Sequence, residues 1–232
     1  QDLEGFIARA ALAVARETVL DRFANEARPL PATPNSHPAL PPLGQIIAVA
    51  RDMAFGFSYP HMIEGWRRAG ADIQFFSPLA DEAPDGTADA VFLPGGYPEL
   101  HAGRLAGNVR FLTGLRQFKG LIYGECGGYM VLGEGLIDAT GARHAMAGLL
   151  PLTTSFADRR LHLGYRALTP LPGSPWRKPL RGHEFHYATI ASEGAADRLF
   201  AAQDASGTAL PAMGLRRGQV MGSFAHVICE AP

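Results

Sequence analysis

The chain is poor in charge, in cysteine and in long apolar runs, and each shortage removes a class of function. Charged residues make up 19% of the 232, and the formal net charge is −1. With no basic cluster, the composition argues against nucleic-acid binding and against an electrostatic membrane surface. No apolar stretch approaches the ~20 residues needed to span a bilayer. Only two cysteines occur, Cys126 and Cys229. That excludes a disulfide framework and is consistent with reduced thiols in the cytoplasm. No G-x-x-x-x-G-K-[ST] phosphate loop and no zinc-like ligand spacing is present, so neither ATP nor a metal is expected to bind this chain.

What is there begins with a contrast in texture. Leu3, Phe6, Ile7, Ala10 and Val14 recur at helical spacing, predicting an amphipathic helix over residues 3–24. Six of the 18 prolines then fall between Pro29 and Pro42, which reads as an extended linker over residues 25–44. Residues 1–24 are accordingly expected to be the tail of a preceding domain, and 45–232 the main domain.

In the main domain, short apolar strands alternate with helices. Ile46–Ala50, Ile73–Phe76, Ala90–Leu93 and Leu121–Tyr123 read as strands. Helices are expected through Met62–Ala69, from Pro98 to Gln117, and after Cys126 through Leu132 and Leu136. That alternation predicts an α/β fold with a mostly parallel central sheet and helices on both faces. Past Gly148 the pattern turns strand-like at 161–168, 182–188 and 220–227, giving extra C-terminal strands. Sites in such sheets lie beyond the C-terminal strand ends, where Asp52, Gly95-Gly96 and Cys126 all fall.

Cys126 stands in Y-G-E-C-G-G-Y-M, a G-x-C-x-G strand-to-helix elbow. A nucleophile on such a turn faces the N–H groups of the following helix, which favour a thiolate. It needs a base, and eight histidines are available. His37 lies in the linker, while His61, His101, His144 and His162 have no supporting pattern. His226 and the His183/His186 pair both remain candidates by pattern alone.

Five segments occur in order: A-V-A-R-D-M-A-F-G-F-S-Y (48–59), L-P-G-G-Y-P-E-L-H (93–101), Y-G-E-C-G-G-Y-M (123–130), R-G-H-E-F-H-Y (181–187) and G-S-F-A-H (222–226). Together they resemble the class I, triad-type glutamine amidotransferase domain of cobyrinic or hydrogenobyrinic acid a,c-diamide synthases. The resemblance implies a flavodoxin-like glutaminase fold in which Cys126 attacks the carboxamide of L-glutamine and His226 is the base. It implies an oxyanion hole from the N–H groups of Gly96 and Gly127. Tyr97, His183, Glu184 and His186 would line the substrate pocket. It further implies an N-terminal synthetase domain of the same polypeptide, binding ATP, Mg and the corrinoid, and a homodimer of the full-length enzyme as one expected state. Two departures stand out. Ile228 occupies the place where many such enzymes carry glutamate, and Met130 the place where many carry glutamine. Glu184 and Glu230 are the candidate replacements for the missing third residue. Two rival readings use the same elbow or none of it: a cysteine hydrolase or peptidase on this fold, and an idle docking domain.

Overall fold

A computed structural model of the chain describes residues 2–17, 22, 25–28 and 40–231. The chain divides into two compact units, Gln1–Ser36 and His37–Pro232. The first holds helix α1 (Leu3–Glu17), with Asp2 Oδ1 accepting from the Gly5 N–H at 2.9 Å. Its apolar residues Leu3, Phe6, Ile7, Leu12 and Val14 are exposed. The helix expected over 3–24 is thus present to Glu17; its remainder falls largely outside the described residues, as does most of the proline-rich linker, His37 included.

The second unit is built on one ten-stranded sheet. Its strands are β1 (Ile46–Ala50), β2 (Asp72–Phe76), β3 (Ala90–Leu93), β4 (Leu121–Glu125), β8 (His162–Pro170), β9 (Leu180–His186), β11 (Asp197–Gln203), β12 (Ala209–Arg217), β13 (Val220–Ser223) and β14 (His226–Glu230). They run β14-β9-β8-β11-β12-β13-β4-β3-β1-β2. The pairs β2–β1, β1–β3, β3–β4 and β4–β13 are parallel; the rest are antiparallel. A second sheet, β10-β7-β5-β6, joins β5 (Gly135–Ile137), β6 (Arg143–Ala145), β7 (Leu152–Ser155) and β10 (Thr189–Glu193). The C-terminal strands therefore do two things at once, extending the main sheet and supplying the second one.

Both faces of β1, β3 and β4 are buried, and alternation decides which core each side chain enters. Ile47, Val49, Phe92 and Tyr123 pack on one face with Met62 and Trp66 of α2 (Pro60–Arg68). Ala48, Val91, Leu93 and Ile122 pack on the other, against α3 (Ala102–Gly107), α4 (Val109–Gln117) and α5 (Gly127–Leu132). The helix expected over 98–117 is in fact a 3₁₀ turn at Pro98–His101 followed by α3 and α4, broken at Asn108. The Asn108 side chain leaves the helical path to donate to Pro78 O at 2.7 Å. Likewise α5 stops at Leu132, and Leu136 belongs to β5.

The expected strand at 220–227 is two strands, and the break places the site. Only Phe224 and Ala225 separate β13 from β14, so their facing ends lie at most ~11 Å apart. Flat, five strand spacings would separate them by ~24 Å. The sheet therefore curls until its β14 edge returns to the end of β13, beside β4. That brings His226 back to the strand ends where Cys126 sits.

Candidate active site

Cys126 follows β4 directly and adopts φ 46, ψ −103, a region L-residues rarely occupy. Such a backbone costs on the order of 1–3 kcal/mol and persists only where its surroundings enforce it. Here they do. A Cβ on Gly128 would stand 2.0 Å from Leu93 O, so helix α5 can press against β3 only with glycine there. The Gly128 N–H then donates to Pro94 O at 3.1 Å and Cys126 N–H to Ser223 O at 2.8 Å.

The thiol opens into a cavity of about 130 Å³ that it shares with His226, Gly96, Tyr97, His183, His186, Glu99 and Met130. Cys126 and His226 are 5% and 3% exposed. Among the described residues no hydrogen bond joins them; the thiol's contact is Phe185 O at 3.9 Å. The His226 ring stacks on His183 at 4.9 Å between centroids and meets the edge of Phe57 at 4.9 Å. Tyr59 hydrogen-bonds His183 Nε2 from behind. A Cβ on Gly95 would fall 2.3 Å from His226 Cε1, so the Gly95-Gly96 turn and the imidazole fit only because that position lacks a side chain.

Burial pushes the Cys126 thiol up to about 12, with the carboxyls of Glu99, Glu125 and Glu184 adding to it and the Gly127 N–H opposing. Burial likewise pushes His226 down to about 3, assisted by His183 and His186. Both shifts favour a neutral thiol and a neutral imidazole at rest. The helix that follows has six residues, and burial opposes the thiolate that its N–H groups favour.

The other sequence candidates divide. Gly96, Tyr97, His183 and His186 line the cavity. Gly96 and Gly127 are adjacent, a Cβ on the latter lying 3.1 Å from Gly96 N. Glu184 points elsewhere, pairing with Arg166 Nε at 2.6 Å and His186 Nε2 at 3.3 Å. Glu230 pairs with Lys178 at 2.8 Å. Asp52 lies at its strand end but not on the cavity, its oxygens accepting from Ala54 N, Ser77 Oγ and Leu79 N. His61 bonds Ile228 O at 3.0 Å and His144 bonds Asp138 at 2.7 Å, both structural roles.

Two residues escaped the sequence reading. Glu99 lines the cavity with its carboxyl raised by burial. Glu125, 2% exposed, has Oε1 on the Val227 N–H at 3.0 Å and Oε2 at 3.7 Å from His226 Nδ1. A charged residue inside the apolar run into an elbow was the available signal.

Fold and site together define an α/β domain with an elbow cysteine and a histidine lining one cavity. The chain belongs to the CobB/CobQ-like glutamine amidotransferase domain family, whose model it matches over residues 46–232. It is 58% identical over 231 residues to a hydrogenobyrinate a,c-diamide synthase of Sinorhizobium sp, covering 97% of this chain and 53% of that protein. A protein of the same name from Brucella abortus biovar 1 is 65% identical over 192 residues, or 82% of this chain and 44% of the relative. The chain thus spans about half the length of the curated relatives it matches. A crystal structure of a glutamine amidotransferase from Thermotoga maritima aligns with a TM-score of 0.49 at 15% identity, over 78% of this chain and 75% of the other. Among the described residues no helix is long and apolar enough to cross a membrane.

Proposed function

We propose that this domain hydrolyses L-glutamine to glutamate and ammonia through a Cys126 thioester. The observation that carries the reading is the strained elbow of Cys126 opening into a small cavity it shares with a buried, neutral His226. The imidazole takes the thiol proton as sulfur attacks the carboxamide carbon, then returns it to the departing nitrogen. Water hydrolyses the thioester. The N–H groups of Gly96 and Gly127 would hold the oxyanion; a donor of this kind is worth roughly 3–4 kcal/mol of barrier. Tyr97, His183 and His186 would shape the glutamine pocket. Glu184, tied to Arg166, would act on it only through His186.

The names of the relatives favour hydrogenobyrinate as the acceptor, with ammonia passed to a synthetase domain that binds ATP, Mg and the corrinoid. The test is alkylation with a glutamine-mimicking diazoketone. Labelling of Cys126, blocked by glutamine, together with glutamate release supports the reading. Peptide cleavage without glutamate release would replace it with a hydrolase, and neither activity would leave a docking domain.

A further inference from the structure

A neutral imidazole has one N–H and one lone pair, so a histidine that takes a proton at one nitrogen must carry its own hydrogen on the other. At His226 that other nitrogen is Nδ1, buried and without a hydrogen-bond partner among the described residues. Facing it at 3.7 Å is Oε2 of Glu125. The carboxyl is not free to wander, because Oε1 accepts from the backbone N–H of Val227, the residue after His226. The base and the carboxyl are thus tied to each other through β14 itself. Glu184 and Glu230 are committed to Arg166, His186 and Lys178. Position 228 is isoleucine, its carbonyl bonded to His61.

We infer that Glu125 is the positioning residue for His226: Oε2 accepts the Nδ1 hydrogen, which leaves the Nε2 lone pair for the Cys126 proton. This rests on the glutaminase reading and completes it with a carboxylate supplied from the residue before the nucleophile. The balance is simple. The thiol proton moves to Nε2 while the sulfur pair forms the C–S bond and the carbonyl π pair goes to oxygen. The same proton then goes to nitrogen as the C–N bond breaks. Glu125 keeps its share of the Nδ1 hydrogen throughout and balances the transient imidazolium.

The ionisable side chains around the ring are His183 on its stacked face, Cys126, Glu99 and His186 on the cavity side, and Tyr123 beside Glu125. Burial raises Glu125 to about 8, so the carboxylate form gains as pH climbs towards that value.

The experiment is made on the full-length protein with Glu125→Gln. The amide keeps an oxygen for Val227 and presents NH₂ to Nδ1, which forces the ring hydrogen onto Nε2. Glutamine-dependent kcat is expected to fall about 30-fold or more with KM changed less than about threefold. Amidation from free ammonia should be unchanged, the acid limb of kcat/KM should move by about one pH unit, and Glu125→Asp should recover part of the loss. A kcat within about twofold of the parent and an unmoved limb would overturn the inference. Should the variant not fold, ¹⁵N-histidine NMR of the parent at about pH 9 decides the matter: hydrogen on Nδ1 supports it and hydrogen on Nε2 overturns it. If the parent itself releases no glutamate, the glutaminase reading fails, and the tautomer still reports separately on the Glu125–His226 pairing.

Discussion

The two halves of the large sheet are held together by different physics. In the parallel half, β3 is buried at all four positions and β1 at four of five. Its partners are aliphatic or aromatic, and its glycines mark where backbones touch, as at Gly128 against Leu93. The antiparallel half alternates: β9 reads buried, exposed, buried, part-buried, buried, exposed, buried. Its interior holds polar partners, with Glu184 between Arg166 and His186, and His186 stacked between His162 and Phe224. Apolar contact is non-directional and insensitive to pH, whereas these pairs depend on geometry and protonation. The nucleophile therefore follows a strand of the apolar half, while the base starts a strand that pairs with β9 beside the polar partners.

The largest effect breaks the comparison on its chemical side. Cys126→Ala removes the nucleophile but no packing volume that the elbow needs. Glutamine-dependent turnover of the full-length protein should fall roughly 10³-fold or more, while free ammonia still supports amidation and the melting temperature stays near the parent's. Retained glutamine-dependent turnover would remove Cys126 from the mechanism.

Next comes pH. Glu125 ionises near 8 in the fold against about 4.5 unfolded. Between those values the folded chain holds a proton that the unfolded chain has released, so stability falls as pH rises, by on the order of 5 kcal/mol in total. His226, held near 3, acts in the opposite sense at lower pH: the unfolded chain protonates first, so stability drops as pH falls below about 6.5. Denaturant titrations of the parent and Glu125→Gln at pH 5 and pH 8 separate the two; equal losses in both proteins would contradict the assignment. The form with Glu125 ionised, which the base needs, is then also the less stable form.

Arg166→Met probes the polar interior of the other half. Removing one partner of a fully buried pair costs about 3–5 kcal/mol. Arg166 and Glu184 side chains are 12% and 11% exposed, so about 2–3 kcal/mol is expected, measured by urea denaturation. Adding Glu184→Gln should return part of it. A double variant no better than the single would mean that the carboxylate is served by His186 alone.

The same contrast explains what the sequence disclosed. Parallel strands buried on both faces leave continuous apolar runs, so Ile46–Ala50, Ala90–Leu93 and the strand into Cys126 were legible. Glycines demanded by close approach made the elbow and the Gly95-Gly96 turn visible as motifs. The antiparallel strands were not so marked. Of the second sheet, Thr153 and Thr154 in β7 and the short β5 and β6 carry no strong period, and in the large sheet β11 and β12 join through a polar turn. Nothing local in Val220–Val227 announces that Phe224 and Ala225 separate two strands, since the break follows from the curl of the whole sheet. Glu125 was hidden for a related reason: its partner, Val227, is supplied from 102 residues away.

The smallest effect lies within a single strand. β8 pairs with β9 so that Leu163 faces Phe185 at one end and Leu168 faces Leu180 at the other. Leu168 is 1% exposed and belongs to the core, whereas Leu163 is 65% exposed. Leu168→Ala should cost about 2–5 kcal/mol, as core truncations do. Leu163→Ser loses a solvated cross-strand contact worth roughly 0.2–1 kcal/mol, so about 0.5 kcal/mol is expected in urea denaturation of the isolated chain. The two leucines sit five positions apart on one strand and face opposite sides of the sheet. If Leu163→Ser destabilised the chain as much as Leu168→Ala, the exposed face of β8 would have to be covered by the chain itself, and the antiparallel half would be two-sided like the parallel one.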